Sequence, residues 1–442
     1  MGSLLSVPNL DKDTACASTA YVAYGCAAHQ GWRTTMEDAH ALIPALDDSA
    51  AVPSAPRAFF AVYDGHGGPD VAHYCARHLH RTLCATPEYA RGDYARALEL
   101  AYIATDAQLA TPAGQRELAA ICQQLGGPNT TSDSSSSSTP TATWTWGGSS
   151  SSNSSSSSSS NSDSPERRKR GCAEEQGCTA VAVLLDFAGG QLYCANAGDS
   201  RAVAVCGGVC TALSSDHKPG LDDEHARIER AGGFVKGGRV NGNLNLSRTL
   251  GDLCYKHNAA LGPGEQIISC VPDVRAVPLA APVDFVVLAC DGVWDVLSSD
   301  AAAALVRAML LPSAQMDAPT RARYLRTSSS SSTSTSSSAS SSDCESSTES
   351  EGEGEGEGCG SDDAQPWPGD VAASLEELLE LAAVRLIDRC VAREASPFTV
   401  GCDNMTAVIV MPRTGAFAAR VQAALDERLR GTPSPAPHEE QQ

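Results

Sequence analysis

The chain has 442 residues, with 53 acidic against 32 basic side chains and a formal net charge of −21. That balance argues against a nucleic-acid partner, because such a surface must attract a phosphate backbone. Two long segments, 126–171 and 312–369, are dominated by serine and cannot bury apolar surface. Their removal leaves roughly 300–340 residues, enough for one large domain.

The first residues, "MGSLLSVPNLDKDT", lack the basic start and the apolar stretch of a secretory signal. The 17 cysteines form no CxxC pair, and many sit in apolar runs, such as Cys194 in "LYCANA" and Cys290 in "VVLAC". They read as small core residues of a protein in a reducing cytoplasm, with the nucleus left open. No run of about 18 apolar residues exists to span a bilayer. "MGSLLS" fits Met-Gly-x-x-x-Ser, for which two readings stand side by side. One is a chance match; the other is a myristoyl group on Gly2, giving weak, reversible membrane association.

Residues 1–20 read as an N-terminal arm, and the first ordered block as Tyr21 to Leu125. In it "FFAVYD" is strand-like, and "PDVAHYCARHLHRTLC" is a helix with Pro69 at its start. A second helix covers about Asp93 to Leu109. The segment 126–171 is expected to be disordered and closes on the solvated basic run "ERRKRG". Three strands follow, "CTAVAVLLD", "GQLYCANA" and "RAVAVC"; their short connections predict antiparallel hairpins. Then come the helix "DDEHARIERAG", the segment "NLNLSRTLGD", the buried strand "VDFVVLACD" and the capped helix "SSDAAAALVRAML". A second disordered insertion, 312–369, holds nine acids and no Lys or Arg between Asp343 and Asp363, including "EGEGEGEG". Beyond it, "LEELLELAAVRLIDRCVARE" is an amphipathic helix, "MTAVIVM" the last strand, and 413–442 a helix with a disordered tail. Hairpins with segregated helices argue for an α+β layered fold rather than a doubly wound sheet.

Acids recur where strands end: Asp64 after "FFAVY", Asp199 in "NAGDSR", Asp291 after "VVLAC", Asp403 before "NMTAVIVM", and Glu37 and Asp38 before "HALIPAL". Any one of them alone is a turn residue. Strands stacked in one core would bring the six together, and converged carboxylates must bind cations or carry shifted pKa values. Carboxylates with a possible backbone carbonyl and no Cys are hard oxygen donors, suited to Mg²⁺ or Mn²⁺ rather than zinc. Two such ions about 3.5–4 Å apart can acidify a shared water for in-line attack at phosphorus. Arg33 offers a fork for phosphoryl oxygens, and His66 lies close enough to Asp64 to protonate a leaving alkoxide.

The motifs "QGWRTTMEDAH", "VYDGHGG", "GCTA", "NAGDSR", "SSDHKP", "RVNGNLNLSRTLGD", "LACDGVWDVLSS" and "DNMTAVIV" appear in that order between Gln30 and Val410. Together they closely resemble the metal-dependent protein phosphatases of the 2C type, over about Tyr24 to Val410 apart from the two insertions. The resemblance implies a four-layer αββα sandwich of two antiparallel sheets flanked by helices, forming a catalytic domain over 21–412. It also implies two Mn²⁺ or Mg²⁺ ions per active site and a weaker third. On the matching positions, Asp64 would bridge both metals and the Gly65 carbonyl would bind one. Asp291 and Asp403 would complete the other, Glu37 and Asp38 would hold metal-bound waters, and Asp199 would serve the third ion. Arg33 would hold the substrate phosphate and His66 would act as general acid. Asp252 is expected to be structural or to support the flap, the segment from about Asp216 to Gly242. The chain departs from the family at Cys178, where Ser is frequent, and at Thr249, where Ala is usual.

The implied activity is hydrolysis of phosphoserine and phosphothreonine in protein substrates by a monomer. Small phosphoesters are a less favoured substrate class. A catalytically inactive scaffold that binds partner proteins is the alternative from another class, disfavoured because every expected acid is present. Cys75 to Arg81, "CARHLHR", has the spacing of a cysteine-dependent phosphatase but lacks glycine and lies within the helical pattern.

Overall fold

The computed structural model describes residues 4–46, 56–125, 174–279, 283–311, 372–396 and 399–431; both serine-rich insertions, Gly2 and the C-terminal tail lie outside them. In chain order the fold opens with strands β1 (Leu4–Ser18), β2 (Val22–Arg33), β3 (Ala39–Ile43), β4 (Arg57–Tyr63) and the short β5 (Gly65–His66). Helices α1 (Asp70–Ala85), α2 (Pro87–Ala90), α3 (Tyr94–Leu109) and α4 (Pro112–Gln124) follow. Next come β6 (Gly177–Cys178), β7 (Ala180–Asp186), β8 (Gln191–Ala197), β9 (Arg201–Cys206) and β10 (Val209–Ala212), then α5 (Asp222–Arg230). The short strands β11 (Val235–Lys236), β12 (Arg239–Val240) and β13 (Leu250–Gly251) precede β14 (Asp273–Pro278) and β15 (Val283–Ala289). The chain ends with α6 (Asp291–Trp294), α7 (Ser299–Leu310), α8 (Leu375–Cys390), β16 (Met405–Pro412) and α9 (Ala416–Gly431).

Two antiparallel sheets form the centre, one ordered β1-β2-β16-β15-β9-β10 and the other β14-β8-β7-β4-β3. Side-chain alternation builds the layers. In β4, Ala58, Phe60 and Val62 point into the space between the sheets, whereas Phe59, Ala61 and Tyr63 face α1 and α3. In β15, Val286 and Leu288 enter the inter-sheet core while Phe285, Val287 and Ala289 meet α7, α8 and α9. Both faces of the central strands are therefore buried, which is why "FFAVY" and "VDFVVLA" read as unbroken apolar runs. At about 1.5–3 kcal/mol per fully buried large apolar side chain, these two faces supply most of the driving force for folding. The helices start as the sequence suggests: Asp93 accepts a hydrogen bond from Arg96 N, Thr111 from Gly114 N, and Ser298 from Ala301 N. The αββα sandwich expected from the sequence is the observed fold.

Two local expectations change. The strands "GQLYCANA" and "RAVAVC" do not form a hairpin: β8 pairs with β7 and β14, whereas β9 pairs with β15 and β10 in the opposite sheet. The turn "GDS" is a crossing between sheets. It passes so close to Thr179 that a Cβ on Gly198, which has φ +121°, would lie 2.6 Å from the Thr179 side chain. A short turn serves either purpose, because facing sheets are only about 10 Å apart. The second change is at the N-terminus, where the segment read as an arm before Tyr21 contains a strand, Leu4–Ser18. β1 is the edge strand beside β2, and Lys12 pairs with Asp388 on α8 at 2.8 Å.

The arrangement gathers strand ends at one end of the sandwich. Ala289 stands opposite Ala407 on one side and Arg201 on the other, Met405 stands opposite His29, and Ala180 opposite Ala197. Asp291, Asp403, Asp199 and Asp64 each lie just beyond such an end.

Candidate metal centre and catalytic residues

Asp64 leaves β4 with both main-chain groups tied to Thr179: its N–H donates to Thr179 Oγ1 at 3.3 Å and its carbonyl accepts from Thr179 N at 2.9 Å. The next residue must be glycine, since a Cβ on Gly65 would sit 2.2 Å from the Glu37 carbonyl oxygen. This close approach packs the Glu37–Asp38 segment against the Asp64 loop. Glu37 is held by its neighbours: its carboxylate accepts from Thr35 Oγ1 at 2.8 Å and Gly68 N at 3.2 Å, and its own N–H donates to Asn404 Oδ1 at 2.9 Å. Asn404 also donates to the carbonyls of Gln30 and Thr35, at 2.8 and 2.9 Å, and so staples the Glu37 loop to the start of β16.

The acids converge in two overlapping groups. One ligand atom each from Asp64, Asp199 and Asp291 lie within 4.8 Å of one another, and so do those of Asp38, Asp64 and Cys290. Asp403 belongs to neither group; its Oδ2 is bound by Arg33 Nη2. Burial pushes the Asp64 carboxyl well above its usual range, and the charges of Asp291, Asp38, Asp199 and Asp403 add to the effect. Asp291 is raised in the same way, by burial and then by Asp199, Asp403 and Asp295. Burial lifts Asp38 to about 7, although hydrogen bonds from Thr406 and Cys290 oppose the rise. Thr406 Oγ1 donates to Asp38 Oδ2 at 2.7 Å, while Asp38 Oδ1 is buried without a protein partner.

These observations fit divalent cations. Adjacent buried carboxylates repel one another, and an orphaned buried oxygen is costly, so a cation among them relieves both penalties. The donors are hard oxygens, with one thiol at the margin, which favours Mg²⁺ or Mn²⁺.

His66 lies beside this cluster, and its Nε2 is 2.8 Å from Asp252 Oδ2. Asp252 is buried in a left-handed conformation, φ 48°, and accepts from Thr249 Oγ1 at 2.6 Å. Burial lowers the affinity of His66 for its proton, but the Asp252 charge and hydrogen bond outweigh it and raise the pKa. The turn is anchored from below, as Asp106 accepts from Gly251 N at 2.8 Å and from Lys256 Nζ at 2.7 Å.

All nine expected site residues therefore lie at one end of the sandwich. Sequence reasoning missed the partners: Lys218 ion-paired to Asp199, Cys290 against Asp38, Asn404 as a staple, and the contact of Asp252 with His66. Lys218 stands in the quoted motif "SSDHKP", but nothing in its spacing shows that it reaches Asp199, because the contact depends on the crossing of β8 to β9. The Cys75–Arg81 match is a coincidence of spacing. Cys75 is fully buried on α1, and no backbone loop surrounds it.

The fold and its acid-lined end define the class: an αββα sandwich with carboxylates gathered at one end of its two sheets. The Protein phosphatase 2C family profile matches residues 22–139 and 113–335. The chain belongs to this family and is a protein serine/threonine phosphatase. It is 38% identical over 300 residues to "Probable protein phosphatase 2C 60" of Arabidopsis thaliana, covering 68% of this chain and 78% of that protein. "Protein phosphatase 2C homolog 2" of Schizosaccharomyces pombe is 31% identical over 412 residues, covering 93% of this chain and 78% of that protein. A solved phosphatase from a pathogenic strain of Toxoplasma gondii shares the fold at a TM-score of 0.51 and 21% identity, with 91% of this chain and 96% of that one covered. Among the described residues no helix is long and apolar enough to cross a membrane.

Proposed function

We propose that this end of the sandwich hydrolyses phosphoserine and phosphothreonine in protein substrates with two Mn²⁺ or Mg²⁺ ions held by the converged acids. The convergence of buried Asp38 and Asp199 with half-buried Asp64 and Asp291 in two overlapping groups carries the reading. Asp64, which belongs to both groups, would hold the ions together with the Gly65 carbonyl, Asp291 and Asp403. Glu37 and Asp38 would position water beside the ions, and Asp199 would serve a third, weaker position. When bound, the ions lower the pKa of a water and draw electron density from the phosphoryl oxygens.

The protein's own groups do the rest. Arg33 grips two phosphoryl oxygens, and for this its guanidinium exchanges Asp403 for the substrate. Asp252 fixes His66 through Nε2, which leaves Nδ1 to pass a proton to the departing serine or threonine oxygen. Water and phosphomonoester become alcohol and inorganic phosphate.

The test is release of phosphate from a phosphothreonine peptide, and hydrolysis of p-nitrophenyl phosphate, with Mn²⁺ and then EDTA. Asp64→Asn and Asp291→Asn should each cost at least about 100-fold in kcat, as loss of a metal ligand does. Activity that persists in EDTA, or in either variant, would refute the proposal.

A further inference from the structure

Among the described residues two basic side chains contact the candidate metal-ligating acids, one at each flank: Arg33 binds Asp403 and Lys218 binds Asp199. Arg33 has a role in the proposed reaction. Lys218, in the segment between β10 and α5, has none. Its Nζ meets Asp199 Oδ2, and Asp199 has a ligand oxygen within 4.8 Å of those of Asp64 and Asp291. The ammonium therefore sits beside the group formed by Asp64, Asp199 and Asp291.

The two partners differ in exposure. The Asp199 side chain is only 3% exposed, whereas that of Lys218 is 43% exposed. Lys218 can swing its four-carbon stem into water at little cost, but Asp199 cannot follow. When ionised, a buried carboxylate beside two others needs a positive charge next to it. Either the ammonium or a metal ion can supply it. Both cannot do so together, because a divalent ion on Asp199 would stand at contact distance from Nζ and repel it.

We propose that Lys218 is a built-in counter-ion that occupies the Asp199 position whenever no divalent cation does, and that it competes with the cation for this position. The inference rests on the metal-centre reading above and assigns a residue that sets the affinity of its weakest site. Lys218 keeps the metal-free acid cluster from repelling itself apart. Cation binding at Asp199 must first displace the ammonium, so that site fills last and only at higher metal concentration. Lys218 is a positioning residue and touches neither substrate nor the reacting water in this assignment.

The test is calorimetric titration of the metal-stripped full chain with Mn²⁺, comparing wild type with Lys218→Met, Lys218→Gln and Lys218→Arg. Circular dichroism checks that each variant is folded. Lys218→Met and Lys218→Gln should tighten the weakest binding event by on the order of tenfold and leave the tighter events unchanged. Lys218→Arg should stay near wild type. In EDTA, without any turnover, Lys218→Met should melt below wild type, and Mn²⁺ should raise its Tm by more. Asp199→Asn should abolish the weak event, alone and combined with Lys218→Met. An unchanged or weakened event in Lys218→Met, or tightening that survives Asp199→Asn, overturns the role of Lys218 and leaves the metal-centre reading standing. A wild-type chain that takes up no Mn²⁺ overturns both.

Discussion

Replacing Glu224 by Gln would break the tie between helix α5 and Arg248, and the effect can be read as a pH dependence. The Glu224 carboxylate is buried and receives Arg248 Nε at 3.0 Å, Arg248 Nη2 at 2.7 Å and Arg227 Nη1 at 2.6 Å. Burial pushes its pKa up, but the hydrogen bonds from Arg248 and the charges of both arginines outweigh this and bring it down to about 2. A shift from 4.5 to about 2 corresponds to an upper limit of roughly 3 kcal/mol. Screening at the partly open edge of the network reduces this to about 1–2 kcal/mol. Because the folded pKa is depressed, the contribution is fully present above about pH 4.5 and is lost as pH falls toward 2. Glu224→Gln also leaves Arg227 and Arg248 without their partner, so the total loss at pH 7 should reach about 2–4 kcal/mol. Urea unfolding at several pH values measures it, and hydrogen exchange shows whether α5 opens locally before the sheets. The variant should lose less stability than wild type between pH 4.5 and the lowest pH at which it remains folded. Parallel curves for the two proteins in that window would refute the reasoning.

Asp252→Asn removes the charge that holds the proton on His66. It should lower kcat by about 10- to 100-fold and move the alkaline limb of the kcat profile to lower pH, since His66 then deprotonates sooner. Thr249→Ala, which deletes only one hydrogen bond to Asp252, should move the same limb in the opposite direction and by less. Cys75→Ser should leave kcat within about twofold, because Cys75 is a buried helical residue and not a nucleophile. The metal-free chain should melt at higher temperature at pH 5.5 than at pH 7.5: Asp38, Asp64 and Asp291 hold protons more tightly folded than unfolded, a preference that weakens stability as pH rises toward 7. Excess Mn²⁺ should reduce or reverse that order by replacing the protons, and calorimetric melts with and without EDTA decide it.

The fold class was legible because the central strands are buried on both faces, so their apolar runs stand out against long polar insertions. The acids were legible for a related reason: Asp64, Asp291 and Asp403 each interrupt or border a run where a charge has no structural use. The crossing at "GDS" was not legible. A turn of that length joins neighbours within a sheet or partners across two sheets, and only the pairing of β9 with β15 decides between them. The same ambiguity hid the Lys218–Asp199 and His66–Asp252 contacts, whose members are 19 and 186 residues apart. β1 was missed because an edge strand with exposed polar residues such as Asn9, Asp11 and Asp13 lacks the apolar run that marks the inner strands.

The site works against the fold that carries it. Asp38, Asp64, Asp199 and Asp291 all have raised pKa values, so at neutral pH each ionised form weakens the metal-free domain. The rigid double sheet tolerates this because its strands are fixed by packing on both faces. Arg33 and Lys218 then neutralise the flanks, each through a side chain at least a third exposed and able to leave. Under the proposed mechanism, permanent burial of either base would hold the acids together but block the site: Asp403 and Asp199 could not be released for metal, nor Arg33 for phosphate. Partial exposure of these two bases reconciles a stable empty cluster with one that cations and a phosphate can still enter.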